Sequence, residues 1–153
     1  FNLIDDNDFD PLTWDQIREM DSYDFINFGS HTDTHRILSQ IDDCEIYDEI
    51  SISKSILTHK LGHEIDLFAY PNGQFSDISD ISKAAVEKKE FLCACSTFWK
   101  TTHRIEEKFT MNRVTISSRD TLDVLKHKVK GHYDFIYYLQ KSKFFLRKLF
   151  FQP

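Results

Sequence analysis

The sequence of 153 residues is short of cysteine, of long apolar runs and, in its first third, of basic side chains. Its three cysteines are Cys44, Cys93 and Cys95, and so few, in an odd number, exclude a full disulfide framework. They also lack the four-ligand spacing of a zinc ribbon. Cys93 and Cys95, two apart in a predicted strand, face one side and read as small buried hydrophobes. No apolar run approaches the roughly 20 residues of a membrane-spanning helix. There is no internal repeat and no low-complexity linker. No signal-peptide pattern is visible, and the chain opens on Phe1 instead of Met, so an upstream segment, with any targeting signal, is expected.

Residues 1–50 carry 14 acidic and 2 basic side chains, whereas the remainder carries 11 acidic and 17 basic. An acidic front half repels phosphates and argues against a nucleic-acid partner. It reads as a solvated acidic face. A composition of 41% hydrophobic residues, with 14 Phe, 6 Tyr and 2 Trp, is ample for one domain with a packed core.

Helical and strand patterns alternate. A short helix is predicted over Leu12–Met20 with Thr13 as cap. A strand is predicted over Phe25–Ser30, ending in a Gly29-Ser30 turn. A long helix over Asp43–Leu61 aligns Ile46, Ile50, Leu57 and Leu61, with Gly62 as its stop. Further strands are predicted at Leu67–Tyr70, Phe91–Ser96 and Asn112–Ile116, and a helix at Ile78–Lys89. Ser117 or Ser118 is the expected cap of a helix presenting Leu122, Leu125 and Val129, and another helix follows Gly131. Strands alternating with helices imply parallel β/α units. Four strands cannot close a (β/α) barrel, so the expectation is a small open sheet or part of a barrel.

The most informative stretch is Gly29-Ser30-His31-Thr32-Asp33-Thr34-His35. It follows a predicted strand, and strand ends are where β/α proteins build sites. If Ser30 caps one helical turn, His31 and His35 share a side, within reach of one ion. Spacing alone is weak evidence, and polar or capping histidines stay open as the alternative. His59 and His63 repeat the spacing, but Gly62 between them ends a helix, so they read as surface residues. The second feature is Phe68-Ala69-Tyr70-Pro71-Asn72-Gly73, a strand closed by a sharp turn whose free backbone N–H groups could face an oxyanion. An ordinary β/α turn is the competing reading.

Three segments in this order, Leu12–Met20, Phe28–His35 and Phe68–Gly73, strongly resemble the polysaccharide deacetylase family, whose shared unit is the NodB-homology domain. Cys95-Ser96-Thr97 and Arg113–Ile116 add a weaker match, so the resemblance covers roughly residues 10–135. It implies an α/β fold, a distorted (β/α) barrel that is incomplete here, with about four strands. Residues 1–135 would be its C-terminal portion, and residues 136–153 a basic aromatic helix or tail. It implies a hydrolase that removes acetyl groups from N-acetylated sugars of a polysaccharide or oligosaccharide, using a divalent metal, zinc by default. His31 and His35 correspond to two metal ligands, and the Asn72 N–H to the oxyanion donor. Ser30, Thr32, Tyr70, Pro71 and Gly73 would support ligands or substrate. A non-catalytic carbohydrate-binding or interaction protein on the same scaffold is the alternative. The family favours the bacterial cell envelope or an extracytoplasmic location, and a cytoplasmic one stays open.

Three departures matter. The family's Asp-Asp motif, which supplies base and third ligand, should lie a strand-helix-strand upstream of Leu12, so the isolated chain is expected to be inactive. Asp5-Asp6 lies too close to His31 to replace it, and Asp5, Asp6, Asp8 and Asp10 read as a solvated loop. Ala69 stands where many members carry Arg. The family's acidic His has no clear counterpart. His127 and His132 lie on or beside a helix, and His103, in a loop, is the least poor candidate. In the tail, the apolar residues of Lys141–Phe151 spread around most of a helical wheel. Packing across the barrel is therefore favoured over membrane contact.

Overall fold

The long helix shows how local signals set this fold. Asp42 extends at φ −69°, and the Glu45 side chain reaches back to accept from its N–H at 3.1 Å. This cap starts α2 (Asp43–Leu61), and Gly62, left-handed at φ +80°, ends it. The computed structural model describes residues 11–151. The Asp5, Asp6, Asp8 and Asp10 loop therefore lies outside the described residues.

Capping boxes also open α1 (Trp14–Asp21), at Thr13 with Gln16, and α3 (Asp80–Lys88), at Ser79 with Ser82. Two strands, β1 (Leu67–Ala69) and β2 (Cys93–Cys95), pair in parallel with Phe68 opposite Ala94, joined by the α3 crossover. Single parallel bridges extend this pair on both sides, Ser30 to Phe68 and Cys95 to Met111. Four chain segments thus lie side by side in the expected parallel order.

Two of the four predicted strands shrink to those bridges. Phe25 is 81% exposed and Ile26 and Phe28 are only partly buried, and pairing begins only at Ser30, whose N–H donates to Leu67 at 2.8 Å. There Gly29 lies so close to β1 that a Cβ would sit 3.0 Å from the Leu67 carbonyl oxygen. Among the described residues none of the predicted Asn112–Ile116 strand enters a bridge: pairing falls on Met111 just before it, the Arg113 N–H donates to the Phe98 carbonyl, and Ile116 is exposed.

The core lies between this sheet and α2 with α3. Ile46 and Ile50 of α2 meet Phe68, Ala85, Val86, Phe91 and Ala94, with Leu57 and Leu61 partly buried against them. Each Ile, Val or Phe side chain among them taken from water contributes about 1.5–3 kcal/mol. In β2 the buried residue is Ala94, and Cys93 and Cys95 point to the less buried face. The expectation that both thiols are core fillers is corrected by this alternation. Burial still pushes the Cys93 thiol up from its ordinary value.

After Met111 the chain leaves the sheet. α4 (Leu122–Val129) is capped by Thr121, not Ser117 or Ser118, because the Thr121 hydroxyl is the one that accepts from the Val124 N–H. Leu122 and Val129 are exposed, so the predicted apolar stripe of this helix is not buried. α5 (Phe135–Phe151) then packs back through an aromatic cluster, with Phe75 stacked on Phe98 at 3.7 Å between centroids and Tyr137 edge-on to both. Gln140 adds hydrogen bonds to the Trp99 N–H and the Thr97 carbonyl.

Candidate functional site

The loop 31–35 is not the helical turn expected from sequence. Thr32 (φ +67°) and His35 (φ +60°) are left-handed, a conformation that costs L-residues energy and needs support. Glu49 of α2, a buried residue, provides it. Its carboxylate accepts from the Asp33 and Thr34 N–H groups, both at 2.9 Å, and from the Thr34 hydroxyl at 2.5 Å. Burial pushes this carboxyl up, but the bonds from Thr34 and Asp33 outweigh it and leave it below the usual range. Sequence reasoning missed Glu49. The signal was a carboxylate on the same helical face as Ile46, Ile50 and Ser53, where an unpartnered charge would not be tolerated.

Ser30 also acts differently from expectation. Instead of capping a turn, its buried hydroxyl bonds Ser53 of α2 at 2.6 Å. The loop is therefore fixed at both ends to α2. It sets the His31 and His35 rings 4.8 Å apart between centroids, edge to face at 68°. The His31 Nδ1 lies 2.7 Å from the Ala69 carbonyl oxygen. A carbonyl only accepts, so Nδ1 carries the proton, and in the neutral ring the lone pair is then on Nε2. This bond also ties the histidine loop to the residue before Tyr70.

The turn beside it is equally constrained. Pro71 and Gly73 are buried, Asn72 is left-handed at φ +57°, and Gly73 at φ +67°. A Cβ on Gly73 would stand 3.2 Å from the Thr97 N and from the Tyr70 carbonyl oxygen. The turn offers fewer free donors than expected, because the Gly73 N–H bonds Pro71 and the Gln74 N–H bonds Asp77. Among the described residues the Asn72 N–H has no acceptor, while the Asn72 side chain donates to Asp77 and its carbonyl accepts from Thr97.

The remaining predicted residues divide. The Thr32 hydroxyl is buried with no hydrogen-bond partner among the described residues. Tyr70 is buried, its hydroxyl donating to Phe109 at 3.0 Å, and burial holds it protonated far above its ordinary range. It serves the core and does not face the loop. His103 is exposed and its Nδ1 accepts from the Asn112 N–H at 3.2 Å, which needs the lone pair an imidazolium lacks. No contact brings it to His31 or His35 among the described residues. His127 and His132 bond each other at 2.5 Å, and His63 bonds Asp21, all on the surface.

The donor set fits half of a divalent-cation site. One free imidazole lone pair, a second ring beside it and an orphaned hydroxyl suit a nitrogen-rich centre. Among the described residues no third histidine, cysteine or carboxylate completes it.

This arrangement has relatives. A family model described as polysaccharide deacetylase matches residues 2–89, which include both the histidine loop and the Pro71–Gly73 turn. A Streptococcus pyogenes deacetylase solved in complex with acetate is similar with a TM-score of 0.70 at 22% identity, covering 77% of this chain and 50% of that one. A de-N-acetylase from Aggregatibacter actinomycetemcomitans gives 0.64 at 18% identity, over 76% of this chain and 53% of the other. A polysaccharide deacetylase from Bacillus cereus gives 0.67 at 25% identity, over 77% and 36%. The first two likenesses concern the fold alone. The chain thus spans about half the length, or less, of the solved structures it matches. No curated protein matches it. With the family match spanning more than half of its length, this chain belongs to the polysaccharide deacetylase family.

Proposed function

We propose that this chain contributes two metal ligands and an oxyanion donor to a hydrolytic site that removes acetyl groups from the N-acetylated sugars of a polysaccharide. The observation that carries the reading is the His31 ring, its Nδ1–H held by Ala69 and its Nε2 free, packed against His35 and tied to the strand that leads into the Pro71–Gly73 turn, whose Asn72 N–H has no acceptor among the described residues. His31 and His35 would hold the cation, zinc by default. When bound, the cation supplies Lewis acidity toward the acetyl carbonyl. Asn72 donates its N–H to the carbonyl oxygen as negative charge builds there, with no reorganisation because the turn is already set. Glu49 fixes the loop so that both rings keep their places, and the Thr32 hydroxyl is free to bond a ligand atom from behind. A carboxylate base and third ligand come, in this reading, from outside residues 11–151. Residues 1–153 alone are expected to hold zinc weakly and to turn over little or nothing.

The test is zinc stoichiometry in the gene product that carries this chain. His31→Ala and His35→Ala should each abolish stoichiometric zinc while leaving the fold intact by circular dichroism. Unchanged stoichiometry would remove the pair from the site. A second reading, a carbohydrate-binding protein without catalysis, is favoured by the absence of a three-ligand group among the described residues. It predicts binding of N-acetylglucosamine oligomers with no release of acetate.

A further inference from the structure

The fold sorts the side chains of α5 in a way that sequence alone does not. Taken as a wheel at about 100° per residue, its apolar residues occupy two opposed faces. One face, with Tyr137, Gln140 and Phe144, meets the body of the protein through Phe75, Phe98 and the Thr97–Trp99 backbone. The opposite face carries Tyr138, Leu139, Phe145, Leu146, Leu149 and Phe150, every one more than half exposed. Lys141 and Lys148 border this stripe on one side, Lys143 and Arg147 on the other, each about a quarter to a third of a turn from its midline.

We propose that the outward face of α5 docks flat on an anionic lipid bilayer. Charge complementarity argues for this occupant. The chain carries a net charge of −6, yet residues 135–153 hold four basic side chains and no acidic one. Among the described residues none of the four enters an ion pair. Lysines are depleted from the centres of protein interfaces. On long stems at both borders of an aromatic stripe, they reach up to phosphate headgroups while the rings enter the acyl boundary. No helix among the described residues is long and apolar enough to cross a membrane, so the helix lies on the surface and does not span it. Because Gln140 bonds Thr97, whose hydroxyl bonds Asn72, docking would fix the Pro71–Gly73 turn relative to the bilayer.

The test is flotation of the full chain with phosphatidylcholine vesicles, with and without phosphatidylserine. The chain should float with the anionic vesicles and bind the neutral ones on the order of a thousandfold more weakly. Leu146→Glu with Leu149→Glu should abolish flotation, and Lys141→Gln with Lys148→Gln should weaken it about thirtyfold. All four positions are exposed, so thermal melting should not move. Failure of the wild-type chain to float, or unchanged flotation of the glutamate variant, would overturn the proposal. So would a wild-type dimer in sedimentation that the glutamate variant turns into monomer, since the stripe would then belong to a second copy.

Discussion

His31 with His35 and His59 with His63 share one spacing but not one environment. The first pair sits in a loop bound at both ends to α2, through Ser30 to Ser53 and through Asp33 and Thr34 to Glu49. The second straddles the end of that same helix, where Gly62 turns the chain left-handed and sends His63 to Asp21. Spacing brings two rings together only if the intervening backbone is held, and here the holding residue is a carboxylate distant in sequence.

Removing the clamp should break the contrast, with the largest effect. Glu49→Ala is expected to cost about 2–3 kcal/mol, since it deletes charged hydrogen bonds to two amides and a hydroxyl. Chemical denaturation measures that loss, and hydrogen exchange at the Asp33 and Thr34 amides should accelerate while exchange in β1 changes less. The Glu49 carboxyl is depressed in the folded state, so its contribution is full above the ordinary glutamate range and is lost as pH falls through the lower folded value. Loop protection that persists in the alanine variant would show that something else holds the histidines.

A smaller effect is expected at the second pair. Gly62→Ala should cost about 1 kcal/mol, all of it from the dihedral angle, because a Cβ there meets nothing within 4 Å. A larger cost in thermal melting would mean that the helix end is more constrained than its open surroundings indicate.

The smallest concerns His63. Its pKa is raised by the Glu64 carbonyl and by Asp21, so its stabilisation is present below the ordinary histidine value and fades as pH rises through the raised one. The His63 side chain is about half exposed, and His63→Ala should cost no more than about 0.5 kcal/mol, and only at acidic pH. An equal cost at alkaline pH would point to packing instead of charge.

What could be read in advance follows the range of the forces involved. α1, α2 and α3 fall within a residue or two of expectation because Thr13, Gly62 and Ser79 act within one turn of themselves. The strands at 25–30 and 112–116 did not, because pairing depends on a neighbour that the segment itself does not encode. The same holds at the site. Both motifs lie side by side in the fold, tied by His31 to Ala69, but the loop conformation was mistaken for a helical turn, since Glu49 lies 15 and 16 positions from the amides it binds. Tyr70, expected to support ligands or substrate, donates its hydroxyl to Phe109, a partner 39 positions away.

Gly29 gives this architecture its gauge. With only hydrogen where other residues carry carbon, the backbone at 29 closes on Leu67 to a distance that even alanine would enlarge by tenths of an ångström. His31 lies two residues further on, gripping Ala69 across the same seam. The clearance between imidazole and corner is thus set by an atom that is not there, and a single methyl at Gly29 would work as a wedge, prising His31 and the Pro71–Gly73 turn apart without touching either.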